Sequence, residues 1–137
     1  MNTAPELARR IEVIEAGYEY LLAYAAQGRP DDAGSDVRRT LTDMRLALDG
    51  LGELVGGSLA DASTAAASDG AAFLDAVIRD ARTAHGAIAI VLSRAAISSL
   101  LVDNLNASIH LRALLTDLFL IDQVLKLPSH TDRGIST

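Results

Sequence analysis

From Asp69 to Leu127 the chain carries no proline and, after Gly70, a single glycine, Gly86. So long a run without a breaker, in residues led by alanine and leucine, confines this half of the molecule to helix. Two helices are expected there, because Asp103-Asn104-Leu105-Asn106 followed by Ser108 gathers side chains that compete for backbone hydrogen bonds and so favour a turn. One continuous or kinked helix is the alternative. In the earlier part of the run Phe73, Val77, Ala81, Ala84, Ile88, Leu92 and Ala95 fall on one side, and Ile90, Ile97 and Leu101 then add a second stripe. Beyond Asn106, Ile109, Leu114, Leu115, Leu118, Phe119, Leu120, Ile121, Val124 and Leu125 surround most of the helix. A helix that is apolar all round has to be covered on more than one side.

The first half repeats the helical period in two segments. From about Pro5 to Gln27, Leu7, Ile11, Ile14, Tyr18, Leu21, Leu22 and Ala25 share an arc; Thr3 is the expected N-cap and Gly28-Arg29-Pro30 the stop. From about Ser35 to Val55, Val37, Leu41, Met44, Leu48, Leu51 and Val55 make one face. Gly50 and Gly52 lie inside that second segment, and each internal glycine costs about 1 kcal/mol relative to alanine, so its end is expected to fray. Residues 56–70 are mostly Gly, Ser, Ala, Asp and Thr, with Leu59 the only large side chain, and read as a mobile crossover.

The expected architecture is therefore a single all-α domain over residues 1–127. It would be a four-helix bundle, antiparallel, with a flexible tail at 128–137. With half its residues apolar but only 4% aromatic, the chain has to build an aliphatic core. In a four-helix unit every helix keeps one side in water, so the surplus apolar surface of the third and fourth segments predicts a homodimer. Ile90, Ile97, Leu101, Leu115, Leu118 and Phe119 are the expected contact residues. A different protein partner would satisfy the same physics.

Composition excludes several functions. The net charge of −6 and the lack of a cationic stripe argue against nucleic acid. No cysteine is present, which removes thiolate metal sites and cysteine nucleophiles. The most apolar window, Gly86 to Val102, is interrupted by Ser93, Arg94, Ser98 and Ser99 and is short of the roughly 20 residues of a membrane span. Charged residues among Met1 to Val13 leave no room for the apolar centre of an export signal, and a cytoplasmic location is the expectation.

No catalytic motif is found: there is no phosphate-binding glycine loop, no nucleophile elbow and no metalloprotease helix. Glu-x-x-His is absent, so a carboxylate-bridged di-metal bundle is not matched, and neither a cofactor nor a metal is expected. Glu12, Glu15 and Glu19 form an acidic row along the first helix, with Glu15 nearest the apolar stripe. Asp103, His110 and Asp117 recur every seven residues and would project from one side if a single helix carried them, with Asn106 one turn before His110. Such a polar line either fixes the register of an interface or holds a ligand. His85 borders the apolar face of the third segment.

Neither His85-Gly86-Ala87-Ile88 nor His110-Leu111-Arg112-Ala113 reproduces the exposed histidine followed by lysine and glycine of histidine phosphotransfer proteins. The leading expectation is a non-catalytic interaction or regulatory protein, working by self-association and partner binding. The alternative is a small-molecule or metal-binding bundle, catalytic or not, centred on His110 with Asp103, Asp117, Glu15 and His85. A phosphotransfer protein and an export chaperone or assembly factor stand behind these two.

Overall fold

The computed structural model describes residues 4–62 and 68–126; Thr3, residues 63–67 of the expected crossover and the tail beyond Lys126 lie outside them. Six helices and no strand occur among the described residues. They are α1 (Ala4–Ala25), α2 (Val37–Leu48), α3 (Leu51–Ala62), α4 (Ala71–Leu92), α5 (Ser99–Ser108) and α6 (Leu111–Lys126). The expected four segments have become six because the chain breaks at two places that the apolar pattern runs straight through.

The first of these breaks is Gly50. The last residue of the second segment's first half, Asp49, is extended, and Gly50 takes φ +66°, a left-handed turn that ends α2 and starts α3. The glycines beyond it do not fray the chain. A Cβ on Gly52 would overlap Ile78, and one on Gly56 would press on Leu74, so these two positions, one turn apart, let α3 lie close against α4. Residues 56–62, expected as crossover, are therefore helix. Gly17 has the same role between α1 and α2, where a Cβ would overlap the Met44 side chain.

The second break is the linker at residues 93–98. Helix α4 ends at Leu92, and Ser98 starts α5 as its N-cap, its hydroxyl accepting the Leu101 N–H at 3.0 Å. The polar cluster Asp103 to Asn106 stays helical inside α5, and the chain turns one step later, at extended Ile109; α6 then begins with the Leu114 N–H on the His110 carbonyl. The apolar window Gly86 to Val102 thus spans two helices and a linker. No helix among the described residues is long and apolar enough to cross a membrane.

One aliphatic core joins all six helices, with Leu7, Ile14, Leu21, Leu41, Leu51, Ile88, Leu114 and Leu118 fully buried and Tyr24 the largest side chain within it. Breaking the second half into three helices turns much of the apolar surplus inward. Ile97, Leu115 and Leu118, expected at a dimer contact, are buried within the chain itself, and Leu101 is half-buried.

At one end of the core, the loop between α1 and α2 is clasped to the linker at 93–98. The buried Tyr24 hydroxyl donates to the Ile97 carbonyl. Ser99 donates its hydroxyl to the Tyr24 carbonyl at 2.7 Å and accepts the Arg29 N–H at 2.8 Å, while its own N–H reaches the Arg29 carbonyl at 2.9 Å. Asp32 accepts the Ile97 N–H at 2.9 Å and Arg38 Nε at 3.2 Å. Arg38 goes on to donate to the carbonyls of Leu92 and Arg94 at 3.1 and 3.0 Å, which the end of α4 leaves without helical partners. Two irregular segments thereby satisfy each other's backbone groups, as burial demands. At the opposite end Glu6 pairs with Arg9 and Arg10, and Arg10 donates to the Asp49 carbonyl beside the Gly50 turn.

Candidate functional site

Among the described residues seven large apolar side chains stay exposed: Leu22, Leu46, Ile90, Leu100, Phe119, Leu120 and Val124. Apolar residues scattered singly over a surface need no explanation, so contiguity decides which of them matter. Phe119, Leu120 and Val124 share one helix. At 100° per residue they fall with Thr116 and Gln123 in an arc of about 140° on the side of α6 opposite Leu114, Leu118 and Ile121. They are 42%, 56% and 47% exposed, and among the described residues no other helix carries more than one exposed large apolar side chain.

Carboxylates border that face on both sides. Helix α1 packs along one flank of α6. Lys126 binds Asp122 at 2.8 Å, and Asp122 first and the nearby Glu12 with it hold its ammonium above the usual lysine range. Glu15 and Glu19 continue from Glu12 along the same exposed flank of α1, as their spacing requires. On the other flank lies α4, where the half-buried Asp117 carboxyl is pushed up by burial and by the charge of Asp80. Neither Asp117 nor Asp80 has a salt-bridge partner among the described residues. Arg112, one helical turn before Thr116, is the exposed cation of this face.

The seven-residue polar line does not form. Ile109 interrupts the helix, so Asp103 sits exposed on α5, His110 is exposed at the start of α6, and Asp117 is turned toward α4. Asn106 points its amide at the Leu21 carbonyl at 3.4 Å rather than at His110, and its Oδ1 is buried without a partner. Glu15 is exposed on α1. Among the described residues no three His, Asp or Glu side chains come together as a metal site would need.

His85 stands apart from these residues, half-buried on α4 at the edge of an open cleft of about 470 Å³ beside the Gly50 turn. Asp49, Glu53 and Arg82 line the same cleft, and Arg82 and Glu53 are paired across it at 3.6 Å. A second shallow cleft, lined by Thr42, Arg45 and Leu46, meets His85 from the other side.

Of the expected contact residues, Phe119 and Ile90 are exposed, on different helices. Leu120 and Val124 were visible only as part of an all-round apolar helix; the signal that separates them from Leu118 and Ile121 is where α6 starts. Compared with protein-family models, curated proteins and solved structures, the chain matches none.

Proposed function

We propose that this chain is a non-catalytic interaction protein that docks another polypeptide through the outward face of α6. The observation that carries the reading is the contiguous exposure of Phe119, Leu120 and Val124 on one helix whose opposite side is fully engaged in the core. Exposed apolar neighbours rimmed by charge are the anatomy of a recognition surface, with a desolvated centre and a polar edge. A photo-crosslinking residue placed at Leu120 or Val124 tests it in cells. Crosslinks to a polypeptide from these positions, and not from Gly86 on the outward side of α4, are the expected result. Equal or absent crosslinking at all three positions would sink the proposal. A product of twice the chain mass would identify the second polypeptide as another copy and give the homodimer its support.

The cleft beside His85 favours a second reading, a small-molecule site, because it joins an imidazole to the Arg82 and Glu53 side chains in one concavity. A panel of small organic acids screened by thermal shift against wild type and His85→Ala decides it. Loss of every stabilising hit in the variant supports the site; unchanged hits, or none, remove it.

A further inference from the structure

We infer that the partner seated on α6 is a basic amphipathic helix of another protein, held by apolar anchors on Phe119, Leu120 and Val124 and by lysine or arginine side chains on the carboxylates to either side. The inference rests on the reading of α6 as a docking face and adds the chemistry of its occupant. Three large apolar side chains within one and a half turns offer the contacts that a second helix fills with residues at i, i+3, i+4 and i+7.

The rim supplies the charge. Glu12, Glu15 and Glu19 run along α1 on one side, and Asp80 with Asp117 lies on the other. Lys126 is already engaged by Asp122, and Arg112 on α6 and Arg79 beside Asp80 on α4 are two cations against the five carboxylates of this rim among the described residues. A second copy of the chain would bring the same apolar face but also the same rim. A twofold axis through α6 sets carboxylate rim against carboxylate rim, and like charges brought together at an interface oppose association. Anionic lipid and nucleic acid meet the same repulsion. A cationic helix converts that cost into attraction and speeds encounter as well.

The experiment uses the full chain and a fluorescent eighteen-residue helix of leucine and lysine at amphipathic spacing, with a leucine–glutamate version and anionic vesicles as comparison probes. Anisotropy titrations are run at low and physiological salt beside light scattering, and circular dichroism checks that each variant is folded. Wild type is expected to bind the lysine probe, more tightly at low salt, and not the glutamate probe. Leu120→Asn with Val124→Asn should weaken binding at least about tenfold without changing charge, and Glu12→Gln with Glu15→Gln and Glu19→Gln should weaken it to a similar degree and remove most of its salt dependence. Asp43→Asn on α2, away from α6, should leave binding unchanged.

If Asp43→Asn weakens binding as much as the α1 variant, the attraction is general and the inference fails. A wild-type dimer that Leu120→Asn with Val124→Asn dissociates, without uptake of the lysine probe, overturns the basic partner and keeps α6 as the docking face; vesicle binding sensitive to the same variant does likewise. A single-chain mass, with no probe bound in a way that depends on Leu120 and Val124, overturns both.

Discussion

Helix α3 holds three glycines whose replacement by alanine should move stability in three different ways. Alanine in a helix interior is worth about 0.5–1 kcal/mol over glycine from backbone entropy alone, whatever surrounds it. At Gly57 nothing lies near the new methyl, so Gly57→Ala should stabilise by that full amount. At Gly52 the methyl meets the Cγ1, Cβ and Cα of Ile78, the last at 3.3 Å. Side-chain rotation cannot clear a β-carbon or the backbone. Helices α3 and α4 then have to separate, and overpacking of this kind costs about 1–3 kcal/mol, leaving Gly52→Ala destabilised by about 1–2 kcal/mol. Gly56 lies between the two cases: its methyl would meet Leu74 Cδ2 at 3.3 Å, the end of a flexible side chain that can yield, so Gly56→Ala should be close to neutral. Urea denaturation followed by circular dichroism measures all three. With a slope of about 2 kcal/mol per molar, the Gly52 and Gly57 midpoints should fall roughly 1 M apart, on opposite sides of wild type. If Gly52→Ala stabilises as much as Gly57→Ala, the close crossing of α3 and α4 is wrong, and the stretch after Gly50 is the loose segment its composition suggests.

The clasp at the other end gives further expectations. Tyr24→Phe leaves the buried Ile97 carbonyl without its donor and should cost about 1–3 kcal/mol in the same assay. Burial holds the Tyr24 hydroxyl above its usual range, so the stability that favours the neutral phenol is complete below the ordinary tyrosine pKa and is lost as pH rises through the raised one; the variant should flatten that alkaline limb. Asp32 behaves in the opposite sense. The Ile97 N–H first, and Arg38 after it, hold its carboxyl below the usual value, so its contribution is present above the ordinary carboxylate pKa and lost as pH falls through the lowered one, and Asp32→Asn should reduce the acid sensitivity of melting. Asp117 is raised by burial and by Asp80, which makes its charge a burden at neutral pH; Asp117→Asn should raise the melting temperature at pH 7, with a gain that shrinks as the pH approaches 4.

What the sequence discloses of this fold is its periodicity. The buried stripe of α1 and the faces of α2 and α4 follow from counting apolar residues at helical spacing, because burial selects those positions directly. The breaks follow from something periodicity does not register. Through Gly50 the apolar period continues unbroken, from Leu48 to Leu51 and Val55, and the turn is set by a backbone angle that only a glycine takes readily. Counted as a helix former, Gly52 is a weakness; set against Ile78 it is the reason α3 can sit where it does. Asp103 and Asn104 carry the strongest local turn chemistry in the second half, yet both stay helical and face outward; the chain turns after them, at Ile109, and breaks also at residues 93–98, where Arg38 arrives from α2 to bind the carbonyls that α4 releases. That partner lies 54 residues away along the chain, beyond the reach of any local pattern.

The exposed apolar face of α6 was partly legible for the same reason. Two long helices apolar over most of their circumference would require an external cover. Three helices in their place change that premise. Each break re-aims the chain, so Ile97, which stands on the outer stripe of a continuous helix, turns into the core beside the Tyr24 hydroxyl, and Leu115 and Leu118 are buried on a helix packed against α1, α3 and α4. What remains uncovered is set by the rotation of α6 about its own axis, and that rotation is fixed at Ile109 and His110, where the helix is restarted with Leu111 buried. Lengthening the turn there by one residue would rotate α6 by about 100° relative to α5, carrying Leu118 out of the core and Asp117 into its place. A single alanine inserted after His110 should therefore destabilise the whole chain far more than one inserted after Ala33, in the exposed loop before α2. Equal melting temperatures for the two insertions would show that the start of α6 does not fix which of its sides faces water.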